Sequence, residues 1–348
     1  MSASTVPIGP GAPAAPTAMR TPRGGAALLP VGRLLATTAT VLLLASVLTF
    51  ALGAFSKSNP AAAVLGETAT RADIATMNHQ FGLDQPLVPR YLTWLGHAVQ
   101  GDLGRSWFTT VPVADSARQA LPVDLSIAVL ALALAVVLGV GAGISAALRS
   151  GGLLDRAVTV VCSVLATLPP FVIGIALIVL LAVKARLLPA GGYVPPSTDP
   201  LQWLRFAILP ALALSLEVAA NIARQLRTSL VGALSENYAI GAEMRGFSRR
   251  RVVLGHVLRN AVSPTLAVVG MAIPLIIGGA VMTEKLFNLP GIAQLALQSA
   301  QRGDVPVVLG TLLVTAVVVL AGSLAINALQ VFLDPAARRG ARTPGGAR

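Results

Sequence analysis

Residues 125–148 read LSIAVLALALAVVLGVGAGISAAL, a run of 24 residues without a charged side chain. Asp124 and Arg149 stand immediately before and after this run. A helix crosses the hydrocarbon core of a bilayer with about 20 apolar residues. A helix that is apolar on every face belongs in a membrane or in the core of a large protein. The run therefore predicts a transmembrane helix.

Further apolar runs of similar length follow the same pattern. Four of them have clear charged borders, at 34–56, 157–183, 260–283 and 305–333. A sixth run, 206–223, contains Glu217 and is counted as a span because the loops on either side would otherwise exchange faces. The sequence therefore predicts an all-α integral membrane protein with about six transmembrane helices.

The overall composition supports this interpretation. The chain has 348 residues, of which 55% are hydrophobic and only 11% charged, against roughly 25% charged residues in soluble domains. Its net charge of +12 is also found in nucleic-acid-binding proteins. Here the charges lie in short segments between apolar runs, and aromatic residues make up only 4%, too few for a base-stacking surface. We expect membrane lipid as a partner and no nucleic acid.

The distribution of basic residues predicts the topology. Six spans with an internal N-terminus place 16 Lys and Arg residues in cytoplasmic segments and five in the short external loops, which agrees with the positive-inside rule. Both termini are then cytoplasmic, and the protein lies in the cytoplasmic (inner) membrane. The predicted divisions are a disordered tail (1–30), the first transmembrane helix (31–56), an extracytoplasmic segment (57–123), a transmembrane core (124–335) with a cytoplasmic loop (224–259), and a C-terminal tail (336–348).

The extracytoplasmic segment contains the signals of two short helices. Thr70 can cap the first, with Asp73 near its positive end, and Gly82 ends it. Pro86 starts a second, amphipathic helix that ends near Gly101. Its apolar face holds Val88, Tyr91, Leu92 and Leu95. This helical layer is either a plain connector or a docking platform or lid for a protein that delivers substrate.

The cytoplasmic loop 224–259 is much longer than a minimal connection. Its sequence predicts a first short helix that ends at Gly246 and a second that Ser248 caps and that runs to residue 260. Small residues at Gly241 and Ala242 would let the first helix approach a partner closely. The alternatives are a protruding helix pair that docks into a soluble partner and a merely solvated basic loop.

This loop resembles the cytoplasmic coupling motif of binding-protein-dependent ABC importer permeases, whose core reads Glu-Ala-Ala-x-x-x-Gly. The core here is Ile240-Gly241-Ala242 followed by Gly246, so the second Ala and the Gly of the motif are kept. The following His256-x-Leu-Arg-Asn260-Ala is similar to the dipeptide, oligopeptide and nickel branch of that family.

Motifs outside the loop resemble the first permease subunit of the same branch. They are Gly82-Leu-Asp-Gln-Pro86, Tyr91-Leu-x-Trp94-Leu, Gly101-Asp-Leu-Gly104-Arg-Ser106, Glu284-x-x-Phe287-x-x-Pro290-Gly291 and Leu333-Asp334-Pro335. The resemblance implies a type I importer permease fold and a subunit that moves short peptides by alternating access. It also implies the partners: a second homologous permease subunit, two ATP-binding cassette ATPase subunits and an extracytoplasmic substrate-binding protein. The implied coupling residues are Gly241, Ala242, Glu243, Arg245, Gly246, Ser248, His256 and Asn260.

The sequence offers no sign of a nucleotide, metal or cofactor site. A phosphate-binding loop needs Gly-x-x-x-x-Gly-Lys, and none of the three lysines follows a glycine. Gly139-x-Gly141-x-Gly143 lies within a span, where it indicates close helix packing. Cys162 stands alone in an apolar run, and the three histidines are scattered. We therefore expect a transport subunit that is not itself an enzyme, with ATP and Mg bound by its partners.

Two functions of other classes stay open at this point. A secondary transporter could use Glu217 as a proton-binding carboxylate in the membrane, with Arg224 as its partner through Asn221; Glu217 and Asn221 are then candidate residues of a translocation pathway. A membrane scaffold could recruit a soluble protein without transport. The coupling loop favours the importer over the transporter, and the external motifs favour it over the scaffold. Nickel chelates and glutathione are alternative cargoes.

Overall fold

The computed structural model describes residues 28–55 and 59–333. The predicted tails 1–30 and 336–348 lie outside the described residues, except that residues 28–30 already belong to the first helix. Residue 56, predicted to end the first span, also lies outside them. Within the described ranges the chain is helical and has no β-strand, as expected for an all-α membrane protein.

Thirteen α-helices follow one another in the described part of the chain. They are α1 (Leu28–Ala54), α2 (Pro60–Leu65), α3 (Arg71–Gln80), α4 (Leu87–Val99), α5 (Val113–Leu148), α6 (Leu153–Leu165), α7 (Pro170–Leu177), α8 (Pro200–Leu234), α9 (Asn237–Met244), α10 (Arg249–Val252), α11 (Leu258–Phe287), α12 (Ile292–Arg302) and α13 (Val305–Leu333). Two π-helical segments, Ile178–Lys184 and Val253–Val257, extend α7 and join α10 to α11.

Five of these helices, α1, α5, α8, α11 and α13, are long and apolar enough to span a membrane. The remaining predicted span, 157–183, is not one continuous helix. It is divided into α6 and α7, which are bent by 107° across a short break. Pro169 and Pro170 stand at this break, and proline both lacks an N–H donor and disfavours helical geometry in the residue before it. The count of six spans holds only if this bent pair forms one of them.

Two helices extend well beyond their predicted apolar runs. α5 begins at Val113, within the predicted extracytoplasmic segment, and α8 continues to Leu234, through the first third of the predicted cytoplasmic loop. Arg227, which lies within this extension, forms an ion pair with Asp155 on α6. The predicted loop 224–259 is therefore much shorter in the structure, from Ser235 to Ser248, with α9 inside it.

The centre of the bundle is the close pairing of α5 with α8. A Cβ at Gly139 would lie 2.7 Å from the Ala219 carbonyl oxygen, and one at Gly143 would lie 2.9 Å from that of Ala223. Gly141, between them, has open space around it. Glycines four residues apart thus let the two backbones approach, as the sequence predicts for this motif.

The two ends of the bundle carry different additional elements. At one end, called the upper end below, α2–α4 and α12 lie near the start of α5 and α13. At the other, called the lower end, α9 and α10 pack against α8 and the C-terminal end of α5. At the upper end, α3 and α4 match the two short helices predicted in the extracytoplasmic segment. The sequence did not predict α2 and α12.

Candidate functional site

The lower end presents a compact knob formed by α9, the turn at Gly246 and α10. Gly246 has φ +86°, its N–H donates to the Glu243 carbonyl at 2.8 Å, and the Phe247 N–H donates to the Ala242 carbonyl at 3.3 Å. This pair of bonds is the Schellman arrangement, which favours glycine at the left-handed position. The predicted end of the first short helix is therefore where the sequence analysis places it, and the turn has a defined shape.

One face of the knob is buried and the other is open. Ala239 and Ala242 are fully buried in a cluster with Leu226, Leu230 and Val253. Ala242 therefore contacts this chain's own core, and the expectation that it lets a partner approach is wrong in this respect. Gly241 is half-buried, and nothing lies within 4 Å of a Cβ added there.

The open face of the knob combines apolar and charged side chains. Its exposed residues include Tyr238, Ile240, Glu243, Met244, Arg245 and Ser248. Met244, with 84% of its surface exposed, is the most prominent apolar residue among them. Exposed methionine and aliphatic side chains beside charged ones are typical of a docking surface.

The remaining predicted residues of the loop are Ser248, His256 and Asn260. Ser248 stands at the start of α10, but its side chain makes no capping hydrogen bond. α10 is also not a separate second helix, because it runs through the π-helical segment into α11. The backbones of His256 and Asn260 lie in that segment and in α11, and their side chains lie outside the described part of the structure.

A polar stripe runs along α8 towards the lower end. Asn221, Arg224, Gln225 and Thr228 line a groove of about 640 Å³ together with apolar residues of α11 such as Met271. The Arg224 guanidinium donates to the Asn221 side-chain oxygen at 2.6 Å. Glu217 is half-buried on the same helix, and the described residues contain no ion pair between it and Arg224. The structure thus brings Asn221 and Arg224 together and leaves Glu217 apart.

An ion pair that the sequence analysis did not identify fastens α6 to α8. Arg227 donates to both carboxylate oxygens of Asp155, at 2.8 and 2.7 Å, and the Gly151 N–H donates to the same carboxylate. Asp155 is 3% exposed, and bidentate geometry of this kind is the strong form of such a pair. The ion pair fixes the position of the lower half of α8, to which the knob is connected.

Two carboxyl groups, of the half-buried Asp124 and the buried Glu284, hold the start of α12 at the upper end. The Ile292 N–H donates to Asp124 at 2.8 Å, and the Gln294 N–H donates to Glu284 at 2.7 Å. A Cβ at Gly291 would overlap with the side chains of both acids, so only glycine fits between them. Carboxylates are stabilised by the N–H groups and the positive dipole end of a helix N-terminus.

A further acid, Asp304, connects this region to the segment before α5. Asp304 accepts hydrogen bonds from the Ser106 hydroxyl at 2.5 Å and from the Trp107 N–H at 3.1 Å. Burial raises the pKa of Asp304, although these hydrogen bonds oppose the rise. The loop before α5 is thereby tied to the corner between α12 and α13.

The sequence identifies Asp124 and Asp304 only as charged borders of spans, and Glu284 also as part of a motif that resembles the permease family. The burial of Glu284 and Asp304 was not foreseen, because a border residue and a buried helix cap look alike in a hydropathy pattern. The signal that could have identified Glu284 is the spacing Glu284-x-x-Phe287-x-x-Pro290-Gly291. In the structure Phe287 is buried in the core, its carbonyl accepts from the Gly192 N–H at 2.7 Å, and Gly291 lies against the Glu284 carboxyl.

Comparison with known proteins gives two matching family models. Residues 139–339 match the binding-protein-dependent transport system inner membrane component. Residues 29–128 match the N-terminal membrane component of the same transport systems. The chain belongs to this permease family. It is therefore a multi-pass inner-membrane subunit of an ABC importer.

Relatives of the permease cover nearly its whole length. A probable peptide ABC transporter permease of Sinorhizobium fredii is 34% identical over 306 residues, which are 88% of this chain and 98% of the relative. An oligopeptide transport system permease of Bacillus subtilis is 30% identical, covering 85% and 94% of the two chains. A metal-staphylopine import system permease of Staphylococcus aureus is also 30% identical, covering 87% and 96%. All three names describe transport subunits.

Proposed function

We propose that the permease imports short peptides and that partner ATPases drive the transport. The observation that carries this proposal is the knob at the lower end, where a turn of defined shape exposes Met244 and Arg245 beside Gly246. An ATPase groove that receives this turn would contact a rigid element, because the inner face of the knob is packed into the bundle. The chain itself needs no nucleotide, since ATP and Mg would be bound by the two ATPase subunits.

The packing of the knob supports a route for coupling. Ala239 and Ala242 of α9 contact Leu226 and Leu230 of α8 within one buried cluster. A displacement of the knob therefore acts on the lower half of α8, which Arg227 also joins to α6. Because packed helices move as units, closure of the ATPase pair would shift α8 and open the cargo path alternately to each side.

The polar stripe of α8 is the candidate lining of that path. Asn221, Arg224, Gln225 and Thr228 are polar residues that line the groove between α8 and α11. Glu217 lies one turn above Asn221 on the same helix and would extend the lining. A second, homologous permease subunit would complete the path from the opposite side. In this arrangement the lower end and both termini are cytoplasmic, and the upper end faces the substrate-binding protein.

Short peptides are the cargo that the relatives favour. Two of the three relatives above are named for peptides or oligopeptides, and one is named for a metal-staphylopine complex. Nickel chelates and other metal chelates are therefore the main alternative, and glutathione is a further one. The delivering binding protein would select among them before the permease is reached.

The test is to reconstitute the complete complex in vesicles and to measure ATP hydrolysis and uptake with different ligands. We expect di- and oligopeptides to stimulate hydrolysis in the presence of the binding protein, and nickel chelates and glutathione not to. If chelates stimulate hydrolysis and peptides do not, the cargo is a chelate and not a peptide. Uptake that follows a proton gradient without ATP would instead support a secondary transporter that uses Glu217.

A further inference from the structure

Helix α4 lies against the side of α1, not above its end. The Tyr91 hydroxyl and the Ser46 hydroxyl are hydrogen-bonded at 2.8 Å. Phe50 packs edge-to-face against the Tyr91 ring at 5.4 Å, and the Arg90 guanidinium lies 4.8 Å from the centre of the Phe50 ring. Ser46 and Phe50 are both buried. These contacts attach one face of α4 to the last turns of α1.

The contacts place α4 below the outer limit of the apolar span of α1. That span is Leu35–Ala54, and Ser46 lies eight residues before its upper end, which is about 12 Å along a helix. Tyr91 reaches down to Ser46, and Phe50 packs at an intermediate height. The axis of α4 is therefore level with the top of the hydrocarbon region and not in open water.

The exposed surface of α4 is divided between an apolar and a polar side. Val88, Leu92 and Val99 share one face, because spacings of four and seven residues return to the same side of a helix. They are 66%, 58% and 82% exposed. Thr93 and His97, which are also exposed, lie on the opposite side. Neither side is the one that contacts α1.

We propose that α4 is an interfacial helix whose Val88–Leu92–Val99 stripe is immersed in membrane lipid. An amphipathic helix in this position buries its apolar face about 5–10 Å into the boundary between headgroups and acyl chains, and Arg90 lies where its charge can reach the headgroups. A protein that docks from the aqueous side would meet Thr93 and His97 and not the stripe. In the topology proposed above, the leaflet is the outer one; the lipid contact itself does not depend on the cargo.

Electron paramagnetic resonance accessibility tests this placement in the complete complex. Single cysteines replace Val88, Leu92 or Val99 on the stripe and Thr93 or His97 on the polar side, in a Cys162→Ser background. Each variant is spin-labelled and reconstituted in phosphatidylethanolamine and phosphatidylglycerol vesicles. Molecular oxygen, which concentrates in lipid, and chromium oxalate, which stays in water, serve as the relaxing agents. Ligand-stimulated ATP hydrolysis confirms that each labelled complex is assembled.

We expect a higher ratio of oxygen to chromium accessibility at positions 88, 92 and 99 than at 93 and 97. Equal chromium access on both sides of α4 would overturn the proposal, because the helix would then lie in water. Protection of the stripe from both agents would also overturn it, because a protein partner would then cover the face.

Discussion

Gly246 is the residue on which the shape of the knob depends. Its positive φ costs a β-branched residue on the order of 1–2 kcal/mol, while an added Cβ would meet no atom within 4 Å among the described residues other than its chain neighbours. Gly246→Val should therefore insert in the membrane normally but distort the turn and clash with a docked ATPase. We expect lower recovery of the ATPase subunits with the purified permease, and less ligand-stimulated hydrolysis.

A matched control for this change exists at the upper end. Gly101 has φ +88°, and a Cβ added there also meets nothing within 4 Å. Gly101→Val thus introduces a similar backbone strain away from the knob, and we expect it to leave ATPase recovery unchanged. Normal uptake and normal recovery with Gly246→Val would show that the knob is not the coupling element.

The ion pair between Asp155 and Arg227 should stabilise the folded protein. Asp155 is buried, while about a third of the Arg227 side chain is exposed, so solvent screening reduces the effect below that of a fully buried pair. We expect Arg227→Gln to lower the free energy of unfolding by roughly 1–3 kcal/mol. Thermal unfolding in detergent measures the effect. If the loss of stability in the double variant Asp155→Asn with Arg227→Gln equals the sum of the losses in the two single variants, the two residues are not coupled.

At the scale of helices, the contact between α5 and α8 depends on alternate glycines. A Cβ at Gly139 would press on the Ala219 carbonyl and Ile222, while one at Gly141 meets nothing. Gly139→Ala should separate the helices and cost about 1–3 kcal/mol, as overpacking does. Gly141→Ala should be neutral or stabilising by up to about 1 kcal/mol, because alanine favours a helix. Equal melting temperatures of the two variants would contradict this packing.

The sequence predicts the bounds of a helix well when the residues that set them are close in the sequence. The start of α13 follows from an apolar run that begins after Asp304, as predicted, and the helix continues to Leu333, where the described residues end. The break between α6 and α7 was missed, although Pro169 and Pro170 mark it locally, because hydropathy alone cannot distinguish a bent span from a straight one. The ends of α8 were missed for a different reason: charged residues end an apolar run but not a helix, since arginine favours helical structure. The partner of Arg227, Asp155, lies 72 positions away in the sequence and has no local signal.

In the candidate site, too, features with a local sequence signal were predicted, and features that depend on distant residues were not. The turn at Gly246 was predicted because a helix end followed by glycine is a local signal. The inward orientation of Ala242 was not, because it depends on Leu226 and Val253 in other helices. The capping of α12 by Asp124 was likewise missed, because Asp124 and Ile292 are 168 positions apart and no local pattern in a single sequence shows such a contact.

At the scale of the whole molecule, the two ends differ in charge and in the elements that they carry. The lower end bears the arginines of the knob, with Arg245 and residues 249–251 all exposed. The upper end combines basic residues with acids such as Asp84, Asp102 and Asp115. A segment rich in Lys and Arg is retained in the cytoplasm, so this asymmetry predicts a cytoplasmic lower end.

The final prediction is that the knob is cytoplasmic and the α2–α4 region is not. Cysteines at Arg250 and Glu67, which are both exposed, test it in the Cys162→Ser background with a membrane-impermeant maleimide. In intact spheroplasts the reagent should label Glu67→Cys and not Arg250→Cys, and after permeabilisation it should label both. The permeabilised sample is the control for reactivity, because a buried thiol would stay unlabelled in either condition. Labelling of Arg250→Cys from outside would reverse the orientation and place the knob where no ATPase could reach it.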